Sequence, residues 1–228
     1  MREKYAEQGR NPYDGLRLYS ALTHGAGILL ALVALAMLLH VCAVIGSSAI
    51  RVTSVSVYAV SMLLLYTAST LYHSLNVPVR GRLLLRKLDH LMIYVLIAGT
   101  YTPVCTIALG GSISGRVMLA VIWSMAVLGA SFTLFWIRMP RALTSAIYLV
   151  MGWVAIFAIY PLHQVMTAAE FGLLLGGGIL YSIGGLLYAL KWPGRNNARF
   201  GCHEIFHVFI VLGSICHFLM VYQLLLMR

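Results

Sequence analysis

Seven uninterrupted apolar runs limit what this sequence can fold into, each as long as the roughly 20 residues that carry a helix across the hydrocarbon core of a bilayer. They lie at about residues 21–46, 52–74, 89–110, 117–136, 142–162, 170–190 and 203–226. Backbone polar groups in lipid have to pair within the protein, which leaves helices or a closed barrel. Barrel strands alternate polar and apolar residues over about ten positions, and these runs do not alternate. The sequence therefore reads as an all-α integral membrane protein, a seven-transmembrane helix bundle spanning residues 19–228 behind a cytoplasmic N-terminal tail of residues 1–18. With 61% hydrophobic and 10% charged residues, a soluble domain is excluded. The first seventeen or so residues are polar and of mixed charge, and the run after them is too long for a signal-peptide core, so the first span is expected to stay in the product. Small residues at helical spacing from Gly172 to Gly185 predict close helix contacts in the sixth span.

Charge sets the expected orientation. Arg2, Lys4, Arg10 and Arg17 precede the first span; Arg80, Arg82, Arg86 and Lys87 lie between the second and third; Arg138 and Arg141 follow the fourth; Lys191, Arg195 and Arg199 precede the seventh. Thirteen of the sixteen basic residues thus share one side, with only Arg51, Arg116 and Arg228 opposite, which predicts a cytoplasmic N-terminus and an outside C-terminus. The same asymmetry explains the net charge of +10 through anionic lipid headgroups, with no nucleic acid as partner. Cys42, Cys105, Cys202 and Cys216 form no C-x-x-C pair and read as buried small hydrophobes.

Ionisable residues at membrane depth are costly and mark function. Of six acidic residues, Glu3, Glu7 and Asp14 lie in the tail, which leaves Asp89, Glu170 and Glu204. Glu170 reads as a solvated residue at the outer edge of the sixth span. The second span ends "STLYHS", the third starts "LDH" and the seventh starts "CHEIFH", all in the cytoplasmic leaflet. His203 and His207, four apart, present their imidazoles on one helix face. With His73 they make three nitrogen ligands and leave a fourth tetrahedral position open, the pattern of a catalytic Zn2+. Ser69, one turn before His73, can hydrogen-bond to a ligand or a reacting oxygen, and Asp89 can hold a water or orient an imidazole. His40 and His163 fall toward the outer side. His217 lies about 15 Å deeper than His207 and reads as an interhelical hydrogen-bonder.

His203-Glu204-x-x-His207 is also the metalloprotease pattern, in which the glutamate is the general base. Glu204 follows His203 directly and so points about 100° away from the ligand face. Intramembrane proteases of this kind take a third, aspartate ligand from a later span, and no acidic residue follows Glu204 here. "NPYDG" (residues 11–15) looks like such an aspartate motif but carries the turn chemistry of Asn-Pro and Asp-Gly. Glu204 is left as a structural support of the ligand helix.

"STLYHSL" (69–75), "LDHLMIYVLIAGTYTPVC" (88–105), "YLVMGW" (148–153) and "HEIFHVFIVLGSICHF" (203–218) resemble the hemolysin III branch of the progestin and adipoQ receptor family over about residues 19–222. The resemblance implies an intramembrane zinc near the cytoplasmic face, with the family's S-x-x-x-H on Ser69 and His73, its aspartate on Asp89 and its H-x-x-x-H on His203 and His207. The first-span motif E-x-x-N-x-x-x-H fits only at His24, since Arg17 and Ser20 stand where Glu and Asn would be; His24 is expected to order that end of the bundle. The similarity of the wider group to alkaline ceramidases implies a zinc-dependent hydrolase of a lipid amide or ester acting in membrane lipid homeostasis, with membrane lipids as substrate, no obligate protein partner, and a bacterial plasma membrane as location. Two alternatives remain: a non-catalytic lipid sensor braced by structural zinc, and a pore-forming cytolysin.

Overall fold

The computed structural model describes residues 16–136, 140–194, 197 and 200–227. Helix α1 (Leu18–Val44) pairs with α2 (Ala49–Ser74), and α3 (Val79–Pro103) continues through a π-helical turn at Val104–Ala108. Helix α4 (Ile113–Phe135) follows. The fifth crossing is composite: α5 (Arg141–Gly152), a 3-10 stretch (Trp153–Ala158) and α6 (Ile159–Val165). Helices α7 (Ala168–Leu190) and α8 (Cys202–Leu226) form the last pair. All seven crossings are long and apolar enough to span a membrane, and no strand occurs among the described residues. The "NPYDG" turn and the basic residues Arg2, Lys4, Arg10, Arg138, Arg195, Arg199 and Arg228 lie outside the described residues.

Helix α2 packs against α1, α3 and α8, and its Tyr58, Met62 and Tyr66 are fully buried. Water drives none of this association in lipid, so close packing and polar contacts hold the helices together. Helix α1 offers Ala31 and Ala34, both with no exposed surface. At mid-bundle, the Tyr66 hydroxyl donates to Ser214 Oγ (2.7 Å), Tyr181 shares the same oxygen (2.9 Å), and the Tyr58 hydroxyl donates to the Ser214 carbonyl (3.3 Å). One small residue on α8 thereby fastens α2 and α7.

Three details differ from the expectations above. The third helix starts at Val79, ten residues before the apolar run, so Arg80, Arg82, Arg86 and Lys87 sit on its first turns and not in a loop. Hydropathy marks where lipid begins, whereas a helix continues until a breaker; here the breaker is Pro78, directly before the start. Arg82 is buried, its guanidinium donating to the Leu75 carbonyl (2.8 Å) and lying 4.8 Å over the Tyr72 ring. Glu170 is not solvated: it is fully buried in a capping box, accepting from the Thr167 N–H (2.7 Å) while its own N–H donates to Thr167 Oγ1 (3.2 Å). Folding back onto the helix end takes its carboxylate out of solvent. Of the cysteines, all free, Cys42 and Cys105 are buried but Cys202 and Cys216 only half-buried.

The small-residue stripe of the sixth span works at two positions. Gly177 lies against the His217 ring and Gly184 against Phe209 on α8, while Gly172, Gly176 and Gly178 face open space.

The fifth crossing is broken where α5 passes into the 3-10 stretch. The Tyr101 hydroxyl of α3 enters this break, donating to the Gly152 carbonyl (2.6 Å) and accepting from the Ala155 N–H (2.8 Å). It supplies both partners that a change of helix type removes. Tyr101→Phe leaves two backbone groups unpaired, a loss of about 1–3 kcal/mol, and is expected to lower the melting temperature in detergent by on the order of 5 °C. Tyr160→Phe, at an exposed tyrosine, serves as the control; equal melting of both variants and wild type would show that the bridge contributes nothing.

Candidate metal centre

The ends of α1, α2 and α8 converge on a cluster of imidazoles. Ser69 and His73 stand one turn apart on the last turns of α2, both buried. His203 and His207 stand one turn apart on the first turns of α8. Ring centroids are 4.9 Å apart for His73 and His203, 5.0 Å for His73 and His207, and 4.7 Å for His203 and His207. One nitrogen from each of the three lies within 4.8 Å of the other two, so the cluster could hold a metal ion.

The donor chemistry fits a tetrahedral, nitrogen-ligated ion. His203 Nε2 and His73 Nε2 are 3.2 Å apart. Two 2.0–2.1 Å bonds at a tetrahedral angle put ligand nitrogens about 3.3 Å apart. His207 Nδ1 faces the Ser20 carbonyl at 3.3 Å. A carbonyl only accepts, so Nδ1 carries the proton and Nε2 keeps the lone pair.

The first turns of α1 hold this cluster from behind. The Arg17 backbone N–H donates to the His73 carbonyl (3.0 Å), and its guanidinium reaches both carboxylate oxygens of Glu204 (2.9 and 3.2 Å). Ser20 Oγ donates to Glu204 Oε1 (2.9 Å), and the Gly201 N–H donates to Oε2 (2.9 Å). Glu204 is wholly buried and committed to these partners. Arg17 thus connects the helix of His73 to the helix of His203 and His207, and Ser20 adds a second contact to the latter. One turn further, His24 stacks flat on His207, with centroids 3.6 Å apart and planes 6° apart, and meets the Tyr66 ring edge. It lies outside the three-donor group, and neither of its buried nitrogens has a hydrogen-bond partner.

Ser69, Asp89, His24, His203 and His207 line one cavity. The Ser69 hydroxyl is buried without a hydrogen-bond partner. The Asp89 carboxylate, on α3, lies 3.6 Å from His90 Nδ1. From these polar groups the cavity continues between α3, the fifth crossing and α7 along apolar walls that include Ile97, Val104, Ile159 and Leu174. His40 and His163 are exposed and not among its lining residues. His217 lies deeper in the same cavity; no hydrogen bond reaches its Nδ1, so that nitrogen does not make the interhelical bond expected of it.

Sequence reading alone missed the Arg17–Glu204 pair, although a signal existed: a buried lone carboxylate beside a ligand calls for a cation, and Arg17 and Ser20 share one helical face. Purified protein is expected to carry about one zinc per chain by elemental analysis, falling to background in His73→Ala and His207→Ala. Arg17→Gln and Glu204→Gln are expected to weaken metal affinity roughly 10–100-fold in chelator competition. Affinity unchanged in both would leave the α1 contacts with no part in holding metal.

Comparison with known proteins agrees with this architecture. Residues 18–218 match the family described as Haemolysin-III related. The chain is 42% identical to the Hemolysin-3 homolog of Bacillus subtilis over 199 residues, 87% of this chain and 89% of that protein. It is 41% identical to Hemolysin-3 of Bacillus cereus over 195 residues, 86% of this chain and 85% of the relative. A shorter likeness, 30% over 63 residues and 25% of this chain, extends to 20% of the ADIPOR-like receptor IZH2 of Saccharomyces cerevisiae. A seven-helix bundle whose imidazole cluster lies at the ends of its first, second and seventh spans is therefore a multi-pass membrane protein of the haemolysin-III related family.

Proposed function

We propose that the protein is a zinc-dependent hydrolase of a lipid amide or ester, acting in membrane lipid homeostasis from the plasma membrane of a bacterial cell, with the histidine cluster at its cytoplasmic face. The observation that carries this reading is the cavity, which joins a hydroxyl, a carboxylate and two of the three imidazoles at one end to a long apolar passage. A polar head with an apolar continuation suits a lipid entering from the bilayer, its ester or amide near the histidines and its chain against the apolar walls.

His73, His203 and His207 would hold the ion. When bound, a zinc ion would supply Lewis acidity to polarise the carbonyl and to make a water a stronger acid. Asp89 accepts the proton of the attacking water and returns it to the departing amine or alcohol, so that one water is consumed and a carboxylic acid and an amine or alcohol are released. The Ser69 hydroxyl, free of other partners, donates to the oxygen on which negative charge develops. Arg17, Ser20 and Glu204 keep the ligand helices in register, and the surrounding apolar side chains exclude bulk water.

A second reading has its own support. The Arg17 contacts tie three helix ends together independently of any chemistry, as a zinc-braced sensor of lipid state would need. The relatives' hemolysin names supply a third reading, a pore. Incubating zinc-loaded protein with ceramide and with phospholipids separates these: turnover is expected for the wild type, and Asp89→Ala and Ser69→Ala are expected to lose about 10²- to 10⁴-fold in kcat while retaining metal. Absence of turnover by folded, zinc-loaded protein rejects the hydrolase, and dye release from liposomes would favour the pore.

A further inference from the structure

The face of α3 that lines the cavity begins with charge. Arg86, Asp89 and His90 stand three and four residues apart on one side of the helix, and the same side continues through Ile93, Ile97 and Thr100, all of them lining the cavity. Lys87 lines it as well, so the Lys, Arg, Asp and Glu residues of the cavity wall are two cations and one carboxylate, all on the early turns of α3.

Neither cation is neutralised within the protein. Arg86 is half-buried, and among the described residues its guanidinium has no ion pair and no hydrogen bond. Its nitrogens are unpaired yet not buried, so they reach accessible space. Asp89 stands at a spacing that suits an ion pair with Arg86 but makes none; it lies 3.6 Å from His90 Nδ1, which donates to the Arg86 carbonyl (2.9 Å). The Lys87 ammonium donates to the Leu134 carbonyl near the end of α4 (2.9 Å) and keeps two further protons. Setting the orientation in a membrane requires basic residues only at this end of the bundle, not inside its cavity. Arg80 is exposed, Arg82 is bound to Leu75 and Tyr72, and neither lines the cavity.

We infer that Arg86 and Lys87 form an anion subsite, so that the cavity takes lipids whose departing amine or alcohol carries a carboxylate or a phosphate a few bonds from the scissile bond. This rests on the reading of the cavity as a lipid site. Arg86 lies three residues, about 4.5 Å, before Asp89 along the helix axis, on the side away from the apolar passage. With the acyl chain in that passage and the carbonyl beside Asp89 and the histidines, the part of the lipid that extends toward Arg86 is the leaving group. A guanidinium takes either anion through two parallel N–H bonds, and the ammonium adds a compact charge. Selection arises because a neutral leaving group leaves both cations without a counter-charge, in a half-enclosed site where the attraction is stronger than in bulk water.

The test uses full-length, zinc-loaded Ser69→Ala protein in a neutral detergent, which keeps every charge of the cavity while slowing hydrolysis, with binding measured by calorimetry. Two matched pairs serve as probes: N-palmitoylglycine against N-palmitoylethanolamine, and palmitoyl lysophosphatidate against monopalmitoylglycerol. The anionic member of at least one pair is expected to bind about tenfold more tightly than its neutral partner, which identifies carboxylate or phosphate as the preferred group. That ratio is expected to shrink between about 0.1 M and about 1 M salt, as the screening length falls from about 10 Å to about 3 Å. Arg86→Gln with Lys87→Gln is expected to bring the members of each pair within about twofold of each other, and Arg86→Lys alone to retain a preference. Equal binding within both pairs overturns the inference without any variant at the subsite, and leaves the lipid cavity standing if the probes bind. A preference that survives the double substitution also overturns it. Displacement of N-palmitoylglycine by N-acetylglycine at equal concentration would make this a site for small anions and not for lipids. Failure of every probe to bind removes the inference together with the lipid-site reading beneath it.

Discussion

An imidazole inside a bilayer has few ways to keep its nitrogens paired, and this bundle brings three of them to one point. The cluster of His73, His203 and His207 depends on contacts made behind it. Two of these residues sit on α8 and one on α2, and those helices meet at this end because Arg17 bonds to both, its backbone to the His73 carbonyl and its guanidinium to Glu204. In water such an ion pair would be worth little. With a fully buried carboxylate that also accepts from Ser20 and Gly201, removing the cation leaves a buried charge uncompensated, which makes the junction stiff.

That stiffness has chemical consequences. The Ser20 carbonyl selects the tautomer of His207, and the flat stack of His24 on the same ring restricts its rotation, so one imidazole is oriented from two sides by a single turn of α1. On its open side the cluster meets a cavity whose walls come partly from the least buried crossings, the fifth and sixth. The spans of α1, α2 and α8 are thus more deeply buried within the bundle than the fifth and sixth crossings. In the fifth crossing the helix changes type, and a tyrosine from α3 supplies the bonds that the break removes.

Much of the plan was legible in the amino-acid order. Seven apolar runs announce seven helices because lipid leaves the backbone no other economical choice. The four-residue step from His203 to His207 predicts a shared face because helical geometry is local. Boundaries were less legible: α3 begins ten residues outside its apolar run, since hydropathy reports the solvent and not the backbone. Glu170 looked solvated because a position near a span's edge gives no sign that a carboxylate will fold back on its own helix. His217 reads as a helix-to-helix hydrogen-bonder, but its Nδ1 has no hydrogen-bond partner.

By itself, the order of residues determined the fold class, the number of crossings and which side chains are too costly to be in lipid without a reason. These depend on composition and on periodicities of a few residues. Only the tertiary structure decided that Arg17 and Ser20 reach Glu204, that His24 lies on His207, and that Asp89 and Ser69 line the cavity that His217 shares. Such pairings join positions up to 187 residues apart. Local propensity carries no information about which helix faces meet, and packing supplies it.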